Sequence, residues 1–279
     1  MSVFKSLVQL AATAGVAGAI AVSPIFTLKA EALTEAQAFE RLSSIPVFVI
    51  ANEQGALPFP VPKQANSKPE DPTVFVPFFL NPLAAEAQLK IVKEQINPVN
   101  PELAKTLKVS FTSINDVYKK VIENKDKKTA VDFVPDLTSV ESAQTIWKAQ
   151  GVPADKIPSY VVPVFFAVTV EANNKVVPLF TTVEKDGKKE PFVPFFFDKS
   201  DLQKELDAVG KTNPNVVKSA KIHALPLTEV IGSMITKDGK PNPETDSVLF
   251  VGSNASSNYI NKISPQAPST QPQVAPKNK

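Results

Sequence analysis

The segment Thr73–Leu80, which reads TVFVPFFL, decides the fold of this chain because the chain contains it twice. The second copy, Pro191–Phe197, reads PFVPFFF and shares the five residues FVPFF with the first, 117 residues later (194 − 77 = 117). Both copies are short, apolar and rich in β-forming residues, which is typical of a strand. A helix start follows each copy, with Asn81 before Pro82 in one and Asp198 in the other. The chain is therefore predicted to contain one strand-to-helix unit in two copies.

The repeat extends beyond these strands. Ile45–Phe48 (IPVF) recurs as Val162–Phe165 (VPVF), and Val131–Val134 recurs as Val248–Val251, again 117 residues apart (163 − 46 = 117; 248 − 131 = 117). A copy of roughly 110 residues is too long for a solenoid repeat. We therefore expect an α+β fold in which two pseudo-two-fold related α/β repeats form one two-lobed body. Its sheets are expected to be antiparallel or mixed, with helices on their flanks.

The N-terminal residues 1–32 have the pattern of an export signal peptide. Lys5 precedes an apolar stretch, and Ala30–Ala32 (AEA) has the form of a cleavage site. An uncleaved anchor is the alternative. The 16 residues from Leu7 to Val22 (22 − 7 + 1 = 16) are short beside the about 20 that a spanning helix needs. Cleavage is therefore favoured, and no transmembrane segment is expected in the mature chain.

The remaining chain divides into three predicted segments. Residues 34–150 form the first α+β repeat, and residues 151–262 form the second. Residues 263–279 carry four prolines among Gln, Ser and Lys, at positions 265, 268, 272 and 276. This composition is typical of a disordered tail, because it offers little apolar surface to bury.

The composition argues against several classes of function. The 30 basic and 28 acidic residues nearly balance, and a nucleic-acid surface needs a basic patch. The absence of Cys excludes disulfides, thiolate metal sites and cysteine nucleophiles. The sequence contains no Gly-rich phosphate-binding loop, and its nine Gly leave little room for one. We therefore expect no metal, no cofactor and no nucleic-acid partner, and we expect that the chain is not an enzyme.

The single histidine, His223, is the residue that a Ser-His-Asp hydrolase site would have to use. It lies in a predicted strand at residues 221–225, and no G-x-S-x-G motif accompanies it. We interpret His223 as a structural residue. A hydrolase remains an alternative hypothesis, and its support would require that a His223→Ala variant lose activity.

Phenylalanine is the unusual feature of the composition, with 18 Phe against three Tyr and one Trp. Adjacent phenylalanines in a strand point to opposite faces. Either helices cover both faces of the sheet, or one set of rings lines an exposed groove. Pro77 and Pro194 favour an edge strand or a bulge. Six residues are candidates for an apolar groove that binds polypeptides: Phe59, Phe78, Phe79, Phe180, Phe195 and Phe196.

In these segments the sequence resembles the Tic 22-kDa-type family, which is named for the translocon at the inner chloroplast envelope. The resemblance rests on Ile45–Phe48, Asn52–Gly55, Val76–Phe79 with its following helix, and Val161–Phe165. It extends over about residues 34–260. The bacterial type of export signal indicates a cyanobacterial member.

The resemblance implies a soluble, non-enzymatic protein of the cyanobacterial periplasm, which corresponds to the intermembrane space of plastids, with the thylakoid lumen as a second compartment. It implies a chaperone-like factor that binds unfolded or precursor polypeptides during translocation or outer-membrane protein biogenesis, near outer-membrane translocon components. It also implies apolar grooves and so favours partly exposed phenylalanines. The alternative is a fixed-partner adaptor that docks onto a membrane translocation assembly. Promiscuous binding of unfolded clients would distinguish the first function from the second.

Overall fold

The structure is a computed structural model, and the residues that it describes are 33–61, 71–123, 128–170, 176–185, 188–235 and 247–264. Within them the chain forms an α+β fold with two six-stranded sheets flanked by helices, as the repeat predicts. The export signal at 1–32 and the tail from residue 265 onward lie outside the described residues. Among the described helices, none combines the length and the apolar character needed to cross a membrane.

Each sequence repeat supplies one sheet and the helices that follow its strands. The first half contains α1 (Glu35–Glu40), β1 (Pro46–Asn52), β2 (Gly55–Ala56), β3 (Phe59–Pro60), β4 (Val74–Phe79), α2 (Pro82–Ile96), α3 (Pro101–Thr106), β5 (Lys108–Ser113), α4 (Ile114–Glu123), β6 (Thr129–Val134) and α5 (Leu137–Ala149). The second half contains β7 (Pro163–Val170), β8 (Val176–Pro178), β9 (Thr181–Lys185), β10 (Lys188–Phe196), α6 (Lys199–Thr212), α7 (Pro214–Lys218), β11 (Lys221–Pro226), α8 (Leu227–Met234), β12 (Val248–Val251) and α9 (Asn254–Ile263).

The two sheets have the same topology. In the first sheet, β1 is antiparallel to β5 and β4, and β4 is parallel to β6. In the second sheet, β7 is antiparallel to β11 and β10, and β10 is parallel to β12. Phe48 opposes Phe79 in one sheet and Phe165 opposes Phe196 in the other, at the repeat distance (165 − 48 = 117; 196 − 79 = 117). The two Phe-rich strands therefore occupy equivalent places, as the sequence predicted.

The expectation that the prolines place these strands at a sheet edge is wrong. Along one side β4 pairs with β6 over its full length. On its other side β4 pairs with β3 at Phe75 and with β1 at Phe79, and Pro77 lies between these two short pairings. Pro194 lies in the same way between the pairings of β10 to β9 and to β7. A proline has no backbone donor, so it fits a central strand at the point where that strand changes partner.

Each sheet buries one face against the long helix that follows its Phe-rich strand. Phe48 and Phe79 pack with Ala85 and Leu89 of α2. In the second sheet the equivalent Phe165 and Phe196 pack with Leu202 and Leu206 of α6. Local capping sets where both helices begin, because the side chain at each N-cap accepts a hydrogen bond from the first turn, at 2.8 Å for α2 and 2.7 Å for α6.

The described chain divides into two compact units, and the helices that end the repeats are exchanged between them. The first unit holds the described residues of Phe39–Val140 and Gly252–Pro272, and it contains the first sheet. The second unit contains the second sheet and extends over Glu141–Val251, with the described part of Met1–Ala38. Most of α5 belongs to the second unit, although it follows β6, and α9 belongs to the first unit, although it follows β12. The repeat boundaries at 34–150 and 151–262 stay a prediction about sequence duplication.

Candidate functional site

An apolar groove of about 140 Å³ lies in the first unit, between the first sheet and helix α4. Small-molecule pockets are commonly about 300–1,000 Å³, so this groove is sized for individual side chains. Its lining is mostly aliphatic, and it consists of Ala56, Val76, Phe78, Val117, Lys120, Val121, Thr129 and Val131. We refer to it as the α4 groove.

The floor of the α4 groove is formed by β4 and β6. These strands are parallel neighbours, and Val76 opposes Val131 while Phe78 opposes Phe133. The rings of Phe78 and Phe133 lie 6.2 Å apart. Side chains alternate along a strand, so Val76 and Phe78 share the groove face, whereas Phe79 points to the α2 face. The strand that the chain repeats therefore supplies a core residue and a groove residue side by side.

The wall of the α4 groove is helix α4. The Asp116 amide donates to Ser113 Oγ at 3.0 Å and so caps the helix. The hydrogen bond from the Ser113 side chain is the main cause that holds the pKa of Asp116 below its usual value. Val117 and Val121 lie one turn apart on the groove side of the helix. Val117 is buried, but Val121 is 47% exposed, so the upper part of this wall is accessible to a partner.

Four of the six predicted phenylalanines are buried, Phe78 among them, and three of these four lie under helices or against another buried ring. Phe79 and Phe196 lie under α2 and α6, and Phe195 is buried with its ring 5.0 Å from Phe166. A strand that is buried on both faces accommodates adjacent phenyl rings, so neither ring has to reach the surface. The expectation of an open groove at these three residues is not what the structure shows. A role for them in binding polypeptides stays a prediction.

The other three predicted phenylalanines lie in different surroundings. Phe78 is buried, at 8% exposed, and lines the α4 groove. Phe59 is half-buried, lies 5.8 Å from the Phe75 ring, and packs against the α2 core on the opposite face of the sheet. Phe180, between β8 and β9, is 55% exposed. The structure therefore does not bring the six candidates together into one site.

His223 lies in β11 among aromatic side chains. Its ring is edge-on to Phe166 at 5.8 Å, and its buried Nδ1 has no hydrogen-bond partner among the described residues. Burial lowers the pKa of His223, and the charge of Lys221 lowers it further. A neutral imidazole packed against a phenyl ring fits the structural role predicted from the sequence. In the part of the chain that the structure describes, no three His, Cys, Asp or Glu residues are grouped to hold a metal ion.

The aliphatic residues of the α4 groove were not among the candidates from the sequence. The sequence pattern that could have indicated them is the wide apolar face of α4, formed by Ile114, Val117, Val121 and Ile122. Ile114 and Val117 are buried, whereas Val121 and Ile122 are exposed. An apolar stripe longer than the core needs is a pattern that indicates an interaction surface.

Comparison with known proteins identifies the family of this chain. The structure of Tic22 from Anabaena, a protein described under protein transport, is similar with a TM-score of 0.62 and 22% identity, over 88% of this chain and 100% of that one. Tic22 from Plasmodium falciparum is similar with a TM-score of 0.57 and 21% identity, over 81% of this chain and 96% of that one. At these identities the likeness shows a shared fold. No curated protein matches the sequence significantly. The family model of the Tic22-like family matches residues 2–262, which confirms the resemblance seen in the sequence, and the chain belongs to the Tic22-like family.

Proposed function

We propose that this chain is a chaperone-like factor of protein transport that holds apolar segments of unfolded polypeptides in the α4 groove. The observation that carries the proposal is an aliphatic groove with an accessible wall, where Val121 is 47% exposed. Burial of this apolar lining by a client side chain is favourable because it removes apolar surface from water. Protein transport, the role described for the Anabaena relative, is the cellular context in which such a site would be useful.

The size of the α4 groove favours loose binding. A volume of about 140 Å³ receives single client side chains. Burying one Val, Leu or Phe side chain contributes about 1.5–3 kcal/mol before the ordering costs of the client are subtracted. Each contact then strengthens binding by roughly ten- to a hundredfold at most. Weak contacts with any apolar side chain suit a factor that must release many different sequences.

We also propose a compartment and binding partners for this chain. The predicted export signal supports a periplasmic location, with the thylakoid lumen as a second compartment. The partners would be unfolded or precursor polypeptides in transit, together with outer-membrane translocon components. We propose a binding function without a catalytic step, because the groove lining is mostly aliphatic, with Lys120 as its charged residue.

A pair of neighbouring variants on α4 tests this proposal. Val121 lines the α4 groove, whereas Ile122 is 62% exposed and is not part of the lining. Val121→Ser should weaken client binding about fivefold or more through lost apolar contact, and Ile122→Ser should leave it nearly unchanged. Both changes are at accessible positions and should alter the free energy of unfolding by only about 0.5 kcal/mol.

The measurement is the aggregation of chemically denatured citrate synthase after dilution, followed by light scattering with each variant present. Thermal melts of the same samples confirm that both variants are folded. Equal protection by Val121→Ser and Ile122→Ser would contradict a role for the groove. If the wild-type chain gives no protection at all, the fixed-partner adaptor becomes the better hypothesis.

A further inference from the structure

A second apolar groove of the first unit is occupied by the chain's own helix α9. This groove lies over the sheet face that carries Phe48 and Phe79. Helix α9 faces it with Ser256, Tyr259 and Ile260, which lie on one side of the helix at positions i, i+3 and i+4. The Tyr259 ring meets Phe48 edge-on at 5.4 Å. We refer to this site as the α9 groove.

The second unit has an equivalent groove that is filled by α5. Helix α5 faces it with Ala143, Ile146 and Trp147, which have the same i, i+3, i+4 spacing. Trp147 Nε1 donates to the carbonyl oxygen of Ala224 at 2.8 Å. Two grooves of the same topology thus each hold an amphipathic helix with one small residue followed by two large apolar ones. This shared pattern defines the chemistry of the ligand that such a groove takes.

The two helices are seated to different depths. In α5, Ala143 is fully buried and Trp147 is 5% exposed. In α9, Ser256 is the only buried residue among the described side chains, and Tyr259 and Ile260 are half-buried. The hydrogen bond from the Tyr259 hydroxyl to the Glu86 carboxylate lies at an exposed position. Elements with few buried contacts open locally long before the whole fold unfolds.

We propose that the α9 groove is a second polypeptide-binding site, which takes an amphipathic helix of another protein, and that α9 is its internal competitor. Detachment of α9 uncovers the apolar face at Phe48 and Phe79, and the incoming helix covers it again with its own small residue and two large apolar residues. Recognition of a helix in a groove through i, i+3 and i+4 anchors is a common mode of peptide binding. The α9 groove is separate from the α4 groove, and it can take a partner helix even if the α4 groove binds nothing.

The absence of cysteine makes a labelling experiment clean. Ser256→Cys places a thiol on the buried side of α9, and Ala143→Cys places one on the buried side of α5. Under native conditions, a disulfide reagent should label Ser256→Cys at least about tenfold faster than Ala143→Cys, because α9 opens locally. Amide exchange in the wild-type chain should show the same order, with α9 exchanging before α5, so the result does not depend on either variant.

A peptide of residues 252–264 then tests whether the α9 groove accepts a separate helix. At millimolar concentration it should accelerate labelling of Ser256→Cys about twofold or more by keeping α9 displaced, and it should leave Ala143→Cys unchanged. The same peptide with Tyr259→Ala and Ile260→Ala is the matched control and should have no effect. The proposal would be overturned if both thiols were labelled only through global unfolding. It would also be overturned if the peptide had no effect on labelling. Acceleration by a higher protein concentration alone would also overturn it and would assign the groove to α9 of a second copy.

Discussion

Replacing Phe79 with Ala tests directly whether the repeated strand is part of the core. Phe79 is 7% exposed, opposes Phe48, and packs with Ala85 and Leu89 of α2. Removal of a buried phenyl ring costs the lost burial and leaves a cavity, in total about 3–5 kcal/mol of the free energy of unfolding. With an m-value of about 2 kcal/mol/M, the urea midpoint should fall by roughly 1.5–2.5 M.

The assay is urea unfolding followed by circular dichroism, with Phe180→Ala as the control. Phe180 is 55% exposed, so its removal should change the free energy of unfolding by only about 0.5 kcal/mol. Phe196 occupies the position equivalent to Phe79, and Phe196→Ala should lower the midpoint by a similar amount. A midpoint for Phe79→Ala that is no lower than that of Phe180→Ala would refute the reasoning. Phe79 would then be an accessible residue, as one interpretation of the sequence allowed.

Two further predictions concern the second unit. The pKa of His223 is lowered, chiefly by burial, from the ordinary value of 6.5. The folded state therefore resists its protonation, and the related stability, present above about pH 6.5, is lost as the pH falls through the lowered pKa. The urea midpoint should drop between pH 7.5 and pH 5 in the wild type and drop less in His223→Leu; an equal drop would assign the acid sensitivity to other groups. Trp147→Phe removes the buried hydrogen bond to the Ala224 carbonyl and should cost about 1–3 kcal/mol in urea unfolding, whereas an unchanged midpoint would show that water replaces this bond.

The sequence predicted those parts of the fold that depend on neighbouring residues. The start of α2 follows from Asn81 and Pro82, and that of α6 follows from Asp198, because each cap acts within one turn. The equivalence of the two sheets follows from the distance of 117 residues between the copies, since similar strands meet similar partners. Pro77 could not be placed correctly, because its fit depends on which strands pair with β4 on either side of it, β3 at Phe75 and β1 at Phe79.

The α4 groove could not be predicted from the sequence for a related reason. Phenylalanine was expected to mark the binding surface, yet of the two adjacent rings in β4 only Phe78 reaches the groove. Whether an apolar side chain is covered depends on which helix packs over its strand, and α4 leaves the end that carries Val121 accessible. Patterns of apolar residues predict which faces are buried, but they do not predict where the cover ends.

The volumes of the sheet residues favour the exchange of α5 and α9. The two helices carry the same pattern and face equivalent grooves, so the pattern alone does not decide which helix docks where. At equivalent positions, the first sheet has Ile50 where the second has Ala167.

The first sheet likewise has Phe111 where the second has Ala224, because these residues oppose Phe48 and Phe165. The two small residues in the second sheet lie in the same apolar cluster as Trp147, whereas Ile260 of α9 packs against the cluster that contains Ile50. A tryptophan over Ile50 would overpack that face, and an isoleucine over Ala167 would leave a cavity, so both mismatched arrangements are disfavoured. Complementary volume at Ile50 and Ala167 therefore favours the exchanged pairing.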